Sequence, residues 1–81
     1  SLEDERRING RERVTVAATV ANDKPEAVEV ELSPVEAGLR GFRIVSSDIR
    51  AVVNDAGAPA WRLRVAAGQS RTLRYTIEWG D

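Results

Sequence analysis

The chain has 81 residues, 42% of them hydrophobic, and its 12 basic side chains against 13 acidic ones leave a formal net charge of -1. A chain of this length has one core and no mass for a second domain or a deep internal cleft. It contains neither His nor Cys, which removes Ser/His triads, thiol nucleophiles, disulfides and zinc sites of the imidazole or thiolate kind, and no run reaches the roughly 18 apolar residues of a membrane-spanning helix.

Taken in chain order, Leu2 to Ile8 forms a strand if Asn9-Gly10 makes the two-residue type I′ turn that this dipeptide favours. The charged stretch Glu3-Asp4-Glu5-Arg6-Arg7 reads equally well as a solvated tail. Residues 1–10 are therefore a tail or partial first strand, and residues 11–81 a single domain. From Val14 onward alternation with period two takes over, placing every second side chain on one face of a pleated strand. Val14, Val16, Ala18 and Val20 alternate with Thr15, Ala17 and Thr19, and Val28, Val30 and Leu32 with Glu29 and Glu31. Pro34 to Leu39 supports a single helical turn at most. Weaker strands are expected at Phe42 to Val45 and Ile49 to Val53. Trp61, Leu63 and Val65 then alternate with Arg62 and Arg64, and Leu73, Tyr75, Ile77 and Trp79 with Arg74, Thr76 and Glu78.

The intervening segments carry turn chemistry: Asn22-Asp23-Lys24-Pro25, Pro34 with Gly38 and Gly41, Asn54 to Pro59, and Ala67 to Ser70. Short strands at this spacing predict an all-β fold, an immunoglobulin-like antiparallel β-sandwich of six to seven strands. Its inward set is Val14, Val16, Val20, Val28, Val30, Leu32, Phe42, Ile44, Trp61, Leu63, Val65, Leu73, Tyr75, Ile77 and Trp79. The chain holds no Met, so it does not open on an initiator. The leading Ser1-Leu2 reads as a cloning scar or processing point, and the whole as a domain excised from a longer protein. Eleven of the 12 basic residues are Arg, a bias that fits a GC-rich genome.

The segments VTVAATVANDKPEAVEVELSP at 14–34 and WRLRVAAGQSRTLRYTIEWGD at 61–81 resemble the carboxy-terminal part of the mucoidy inhibitor A-like family, a bacterial domain of unknown function. The matching positions are Asn22, Lys24-Pro25 and Val28-Glu29-Val30, then Trp61 to Val65, Ala67-Gly68 and Thr72 to Ile77. The resemblance implies a β-sandwich within a larger protein, often of the bacterial cell envelope or another extracytoplasmic setting. It implies no catalytic residues.

In a packed sandwich, function sits on outward faces and loops. If the last two long strands pair as a hairpin, Arg62, Arg64 and Arg74 share an exposed basic stripe, an interaction surface for an acidic partner unless Glu29 and Glu31 neutralise it across neighbouring strands. Trp79, near the end of the last strand, either joins the core, covers a sheet edge or meets another domain. Nucleic acid is not expected, because net charge is near zero and no aromatic is interleaved with exposed Arg. Asp23, Glu26, Asp48, Asn54 and Asp55 are oxygen donors in loops, but their spacing matches no EF-hand, so no metal or other cofactor is expected. Ser46-Ser47-Asp48 sets a hydroxyl beside a carboxylate without an activating base. The sequence thus points to a non-catalytic structural or protein-interaction module. Its partner is the rest of the parent chain or another protein, met through a sheet edge or loops, and the oligomeric state stays open. The alternative is a carbohydrate- or envelope-polymer-binding accessory module. A small hydrolase depending on Asp48 or Asp55 ranks third.

Overall fold

A computed structural model describes residues 2–80; Ser1, half of the Ser1-Leu2 start discussed above, lies outside the described residues. Seven strands follow one another: β1 (Leu2–Ile8), β2 (Arg11–Ala21), β3 (Val28–Leu32), β4 (Arg43–Ser47), β5 (Val52–Val53), β6 (Pro59–Val65) and β7 (Ser70–Gly80). A single 3₁₀ turn, Val35–Gly38, lies between β3 and β4. Asn9 and Gly10 have φ of 51° and 80°. Both central residues are thus left-handed, as a type I′ turn requires, and β1 pairs antiparallel with β2.

The strands form two antiparallel sheets, one of order β1-β2-β7-β4 and one of order β3-β6-β5. This is a β-sandwich with the four-plus-three layering of immunoglobulin-like domains, although β7 takes the place beside β2 that the fifth strand holds in the immunoglobulin constant type. The inner faces meet in a core of Trp61, Leu63 and Val65 from β6 with Leu73 and Ile77 from β7, each at most 1% exposed. The Trp61 and Tyr75 rings lie 4.4 Å apart at 31°. Val20, Leu32, Ile44, Ile49 and Ala51 pack around this cluster. Every residue of the inward set is buried or half-buried.

Two buried alanines lie outside that set. Ala60 is fully covered, beside Trp61 and opposite Val52 of β5. Ala17, at 8% exposure, belongs to the outer face of its sheet, opposite Arg74. A methyl group there sits below the reach of the long side chains around it. At the far end, a Cβ on Gly41 (φ +72°) would stand 2.2 Å from the Gly80 carbonyl oxygen, so only glycine lets the entry to β4 approach the end of β7.

Candidate functional site

The strand register sets the outer face of the four-stranded sheet in rows. Arg6, Arg13, Glu78 and Arg43 form one row across β1, β2, β7 and β4, and Asp4, Thr15, Thr76 and Ser46 form the next. Beyond it Arg74 stands opposite Ala17, and its Nε donates to the Glu3 carboxylate at 3.1 Å. Short hydroxyl side chains between rows of long ones leave a trough. It encloses about 200 Å³ and is lined by Thr15, Ser46, Ser47, Asp48, Arg74, Tyr75 and Thr76. The Thr15 and Thr76 hydroxyls hydrogen-bond each other at 2.9 Å, as do those of Thr19 and Thr72.

One end of the trough is built by the termination of β4. Its register with β7 slips between Ile44 and Ser46, a bulge that turns Val45 outward. Asp48 then continues the ladder from beyond the strand. Its N–H donates to the Arg74 carbonyl at 3.0 Å, and its carboxylate accepts the Arg74 N–H at 2.9 Å. The Ser47 hydroxyl donates to the Ile49 carbonyl. The hydroxyl and carboxylate noted in the sequence are thus occupied in ending a strand.

In the row on the other side of the hydroxyls lies a charge cluster centred on Glu78, which is 3% exposed although it lies on a sheet's outer face. Arg13 donates to it through Nε at 2.7 Å and Nη2 at 2.5 Å, Arg43 through Nε at 2.9 Å, and Arg11 Nε stands 3.5 Å away. These side chains, not apolar core, cover the carboxylate. Hydrogen bonds from Arg13 and then Arg43 hold its pKa below the ordinary 4.5, outweighing partial desolvation. Arg11 also donates to the carbonyls of Gly80, at 3.0 Å, and Gly41, at 2.5 Å. The cluster therefore ties β2, β4 and β7 together at one end. On the inner side, burial and then the charge of Glu36 push the Tyr75 phenol above its ordinary 10.0.

The expected basic stripe is not a single surface. Arg62 and Arg64 lie on β6 and Arg74 on β7, and these strands belong to different sheets. The link between them, closed by a bond of 3.1 Å from the Gln69 N–H to the Ala66 carbonyl, carries the chain from one layer to the other instead of forming a hairpin. Arg62 and Arg64 instead face Glu31 and Glu29 across β3, with Arg62 3.6 Å from Glu31. Trp79 stands opposite Glu12 of β2 and is half-buried. Trp61 and Tyr75 pack in the core, so they make no outward aromatic platform.

Two residues that the sequence reading passed over matter most among the polar groups. Glu78 reads as one more outward charge, and only the register brings three Arg residues to it. Asn22 reads as a turn former yet is 5% exposed. Its Nδ2 donates to the carbonyls of Glu26 at 2.7 Å and Val65 at 3.1 Å, its Oδ1 accepts the Lys24 N–H at 3.0 Å, and its own N–H donates to the Gln69 carbonyl at 2.8 Å. It joins the loop after β2 to the end of β6.

The free sheet edges are the outer sides of β1 and β4 in one layer and of β3 and β5 in the other. β5 is two residues long and exposes Val52 and Val53, whereas β1 is seven residues long and exposed along nearly its whole length. No helix among the described residues is long and apolar enough to cross a membrane. No protein-family model, curated protein or solved structure matches this chain.

Proposed function

We propose that this domain is a non-catalytic structural or protein-interaction module, one that meets a neighbouring protein through a strand edge of its four-stranded sheet. The observation that carries the reading is the division of labour between faces. The apolar inner faces are spent on each other, with Trp61, Leu63, Leu73 and Ile77 at 0–1% exposure, while β1 leaves a row of main-chain N–H and C=O groups unpaired along seven residues. Such a row is a template for another strand. The resemblance to a carboxy-terminal envelope-associated region fits the same role. The test is twofold: hydrolysis of ester, glycoside and phosphate substrates should be absent, and turnover that disappears in Asp48→Asn would overturn the reading.

The trough favours a second reading, a carbohydrate- or envelope-polymer-binding module. Its hydroxyl floor, Thr15, Thr76 and Ser46, lies between Arg74 and the Glu78 cluster, and such donors and acceptors suit a polyhydroxyl chain. Amide chemical shifts of Thr15, Thr76 and Ser46, followed during titration with neutral and acidic polysaccharides, separate the readings. Neither Trp61 nor Trp79 lines the trough, so tryptophan emission is a poor reporter of this site.

A further inference from the structure

We infer that the occupant of the β1 edge is the β1 edge of a second copy of this chain, paired antiparallel about a two-fold axis through Glu5. The inference rests on the edge-interaction reading above and names its partner. β1 is an outermost strand, and its sequence, Leu2-Glu3-Asp4-Glu5-Arg6-Arg7-Ile8, is acidic in its first half and basic in its second. An antiparallel copy reverses that order, so each acidic half meets a basic half.

Geometry narrows the register. Directly opposed residues in an antiparallel pair share a face, and the two-fold keeps matching faces of the copies together, so the axis must pass through a residue. With the axis at Glu5, Asp4 of each copy faces Arg6 of the other. Both lie on the outer face, where they already form an ion pair of 3.0 Å along their own strand. The four groups then alternate in sign around a square. The two Glu5 carboxylates meet on the opposite face, with Arg7 of each copy diagonally beside them and within reach of long side chains. An axis at Asp4 sets Glu3 against Glu5, and one at Arg6 sets Arg6 against itself and Asp4 against Ile8. The Glu5 axis is therefore the register in which outer-face charges are matched, and it makes one continuous sheet of eight strands from the two four-stranded sheets. The charged edge still discourages indiscriminate pairing, because an unrelated strand lacks the reversed order.

The absence of Cys in the whole chain makes the test clean. Glu5→Cys places two thiols across the axis, within disulfide reach, whereas Val53→Cys puts one on the exposed edge of β5. Under mild oxidation Glu5→Cys should cross-link on the order of tenfold faster than Val53→Cys. Sedimentation of the intact chain from about 10 µM to about 1 mM should show a weak dimer, as a single-strand interface implies, loosened by added salt. Arg6→Glu with Arg7→Glu, and separately Asp4→Arg with Glu5→Arg, should each weaken it by about tenfold or more, and an equimolar mixture of the two doubles should restore association. Far-UV circular dichroism checks that both fold. A Glu5→Cys rate no greater than that of Val53→Cys, a wholly monomeric wild type, or a mixture that fails to associate overturns the β1 pairing. If cross-linking prefers Val53→Cys, the β1 pairing falls together with the placing of the interacting edge on the four-stranded sheet, because β5 belongs to the other layer, whereas a wholly monomeric wild type removes the self-pairing alone.

Discussion

Trp61 concentrates the packing energy of the molecule in one side chain. It is fully buried, stacked against Tyr75, and its Nε1–H finds no acceptor among the described residues. Trp61→Ala should therefore cost about 3–5 kcal/mol, read from urea unfolding, and Trp61→Phe distinctly less, because it keeps a ring while removing the unsatisfied donor. Equal losses for the two would show that the indole's outer ring, not the stacked area, sets the stability. Glu78 carries the acid sensitivity. Its folded pKa lies below the unfolded value near 4.5, so the folded state gains from its ionisation above that pH and loses the gain as pH falls through the folded value. Glu78→Gln should lower stability at neutral pH and flatten the loss below about 4.5; parallel acid profiles for wild type and variant would contradict this.

Among the elements, strands that alternate cleanly were legible in place, and one of them to the residue. β3 spans Val28–Leu32 as its valines and glutamates indicate. β2 and β7 run longer than their apolar patterns, because Arg11 to Arg13 in one, and Ser70 to Thr72 and Gly80 in the other, continue the ladder by backbone pairing although their side chains show no apolar alternation. The pattern overextended β5: Ile49 and Ala51 are apolar and pack on the core, yet they belong to the crossing between sheets, which leaves only Val52–Val53 paired. The hairpin expected for β6 and β7 failed for a related reason. Period two tells which way side chains point but says nothing about which strand lies alongside, and the same Ala67-Gly68 turn serves a hairpin or a crossing. The candidate stripe of Arg62, Arg64 and Arg74 depended on that choice and was divided by it. Asn22 was hidden because its burial comes from distant partners, Val65 and Gln69. Asn22→Ala should cost about 2–3 kcal/mol, since it strands buried main-chain groups at both loop and strand. Thermal or chemical denaturation measures this, and a loss below about 0.5 kcal/mol would show that water replaces the side chain without strain.

For the whole molecule, the two sheets depend on each other unequally. β2, β6 and β7 supply the buried side chains, whereas β1 contributes exposed residues and the half-buried Ile8. A chain beginning at Arg11 should fold with its core intact and lose about 1–3 kcal/mol, from the β1–β2 ladder and the Glu3–Arg74 pair. Retained dispersion of core methyl signals would demonstrate it, and collapse to an unfolded spectrum would make β1 integral to the sandwich. The division into residues 1–10 and 11–81 drawn from sequence is thus open to direct measurement.

The cluster around Glu78 also gives the sandwich a direction of failure. One proton on that carboxylate leaves the guanidinium groups of Arg11, Arg13 and Arg43 facing each other, and a clasp becomes a wedge between β2, β4 and β7. At the opposite end, the amide of Asn22 does not titrate. Acid should therefore unzip the four-stranded sheet from the Gly41–Gly80 end, while the Asn22 end is the last to part.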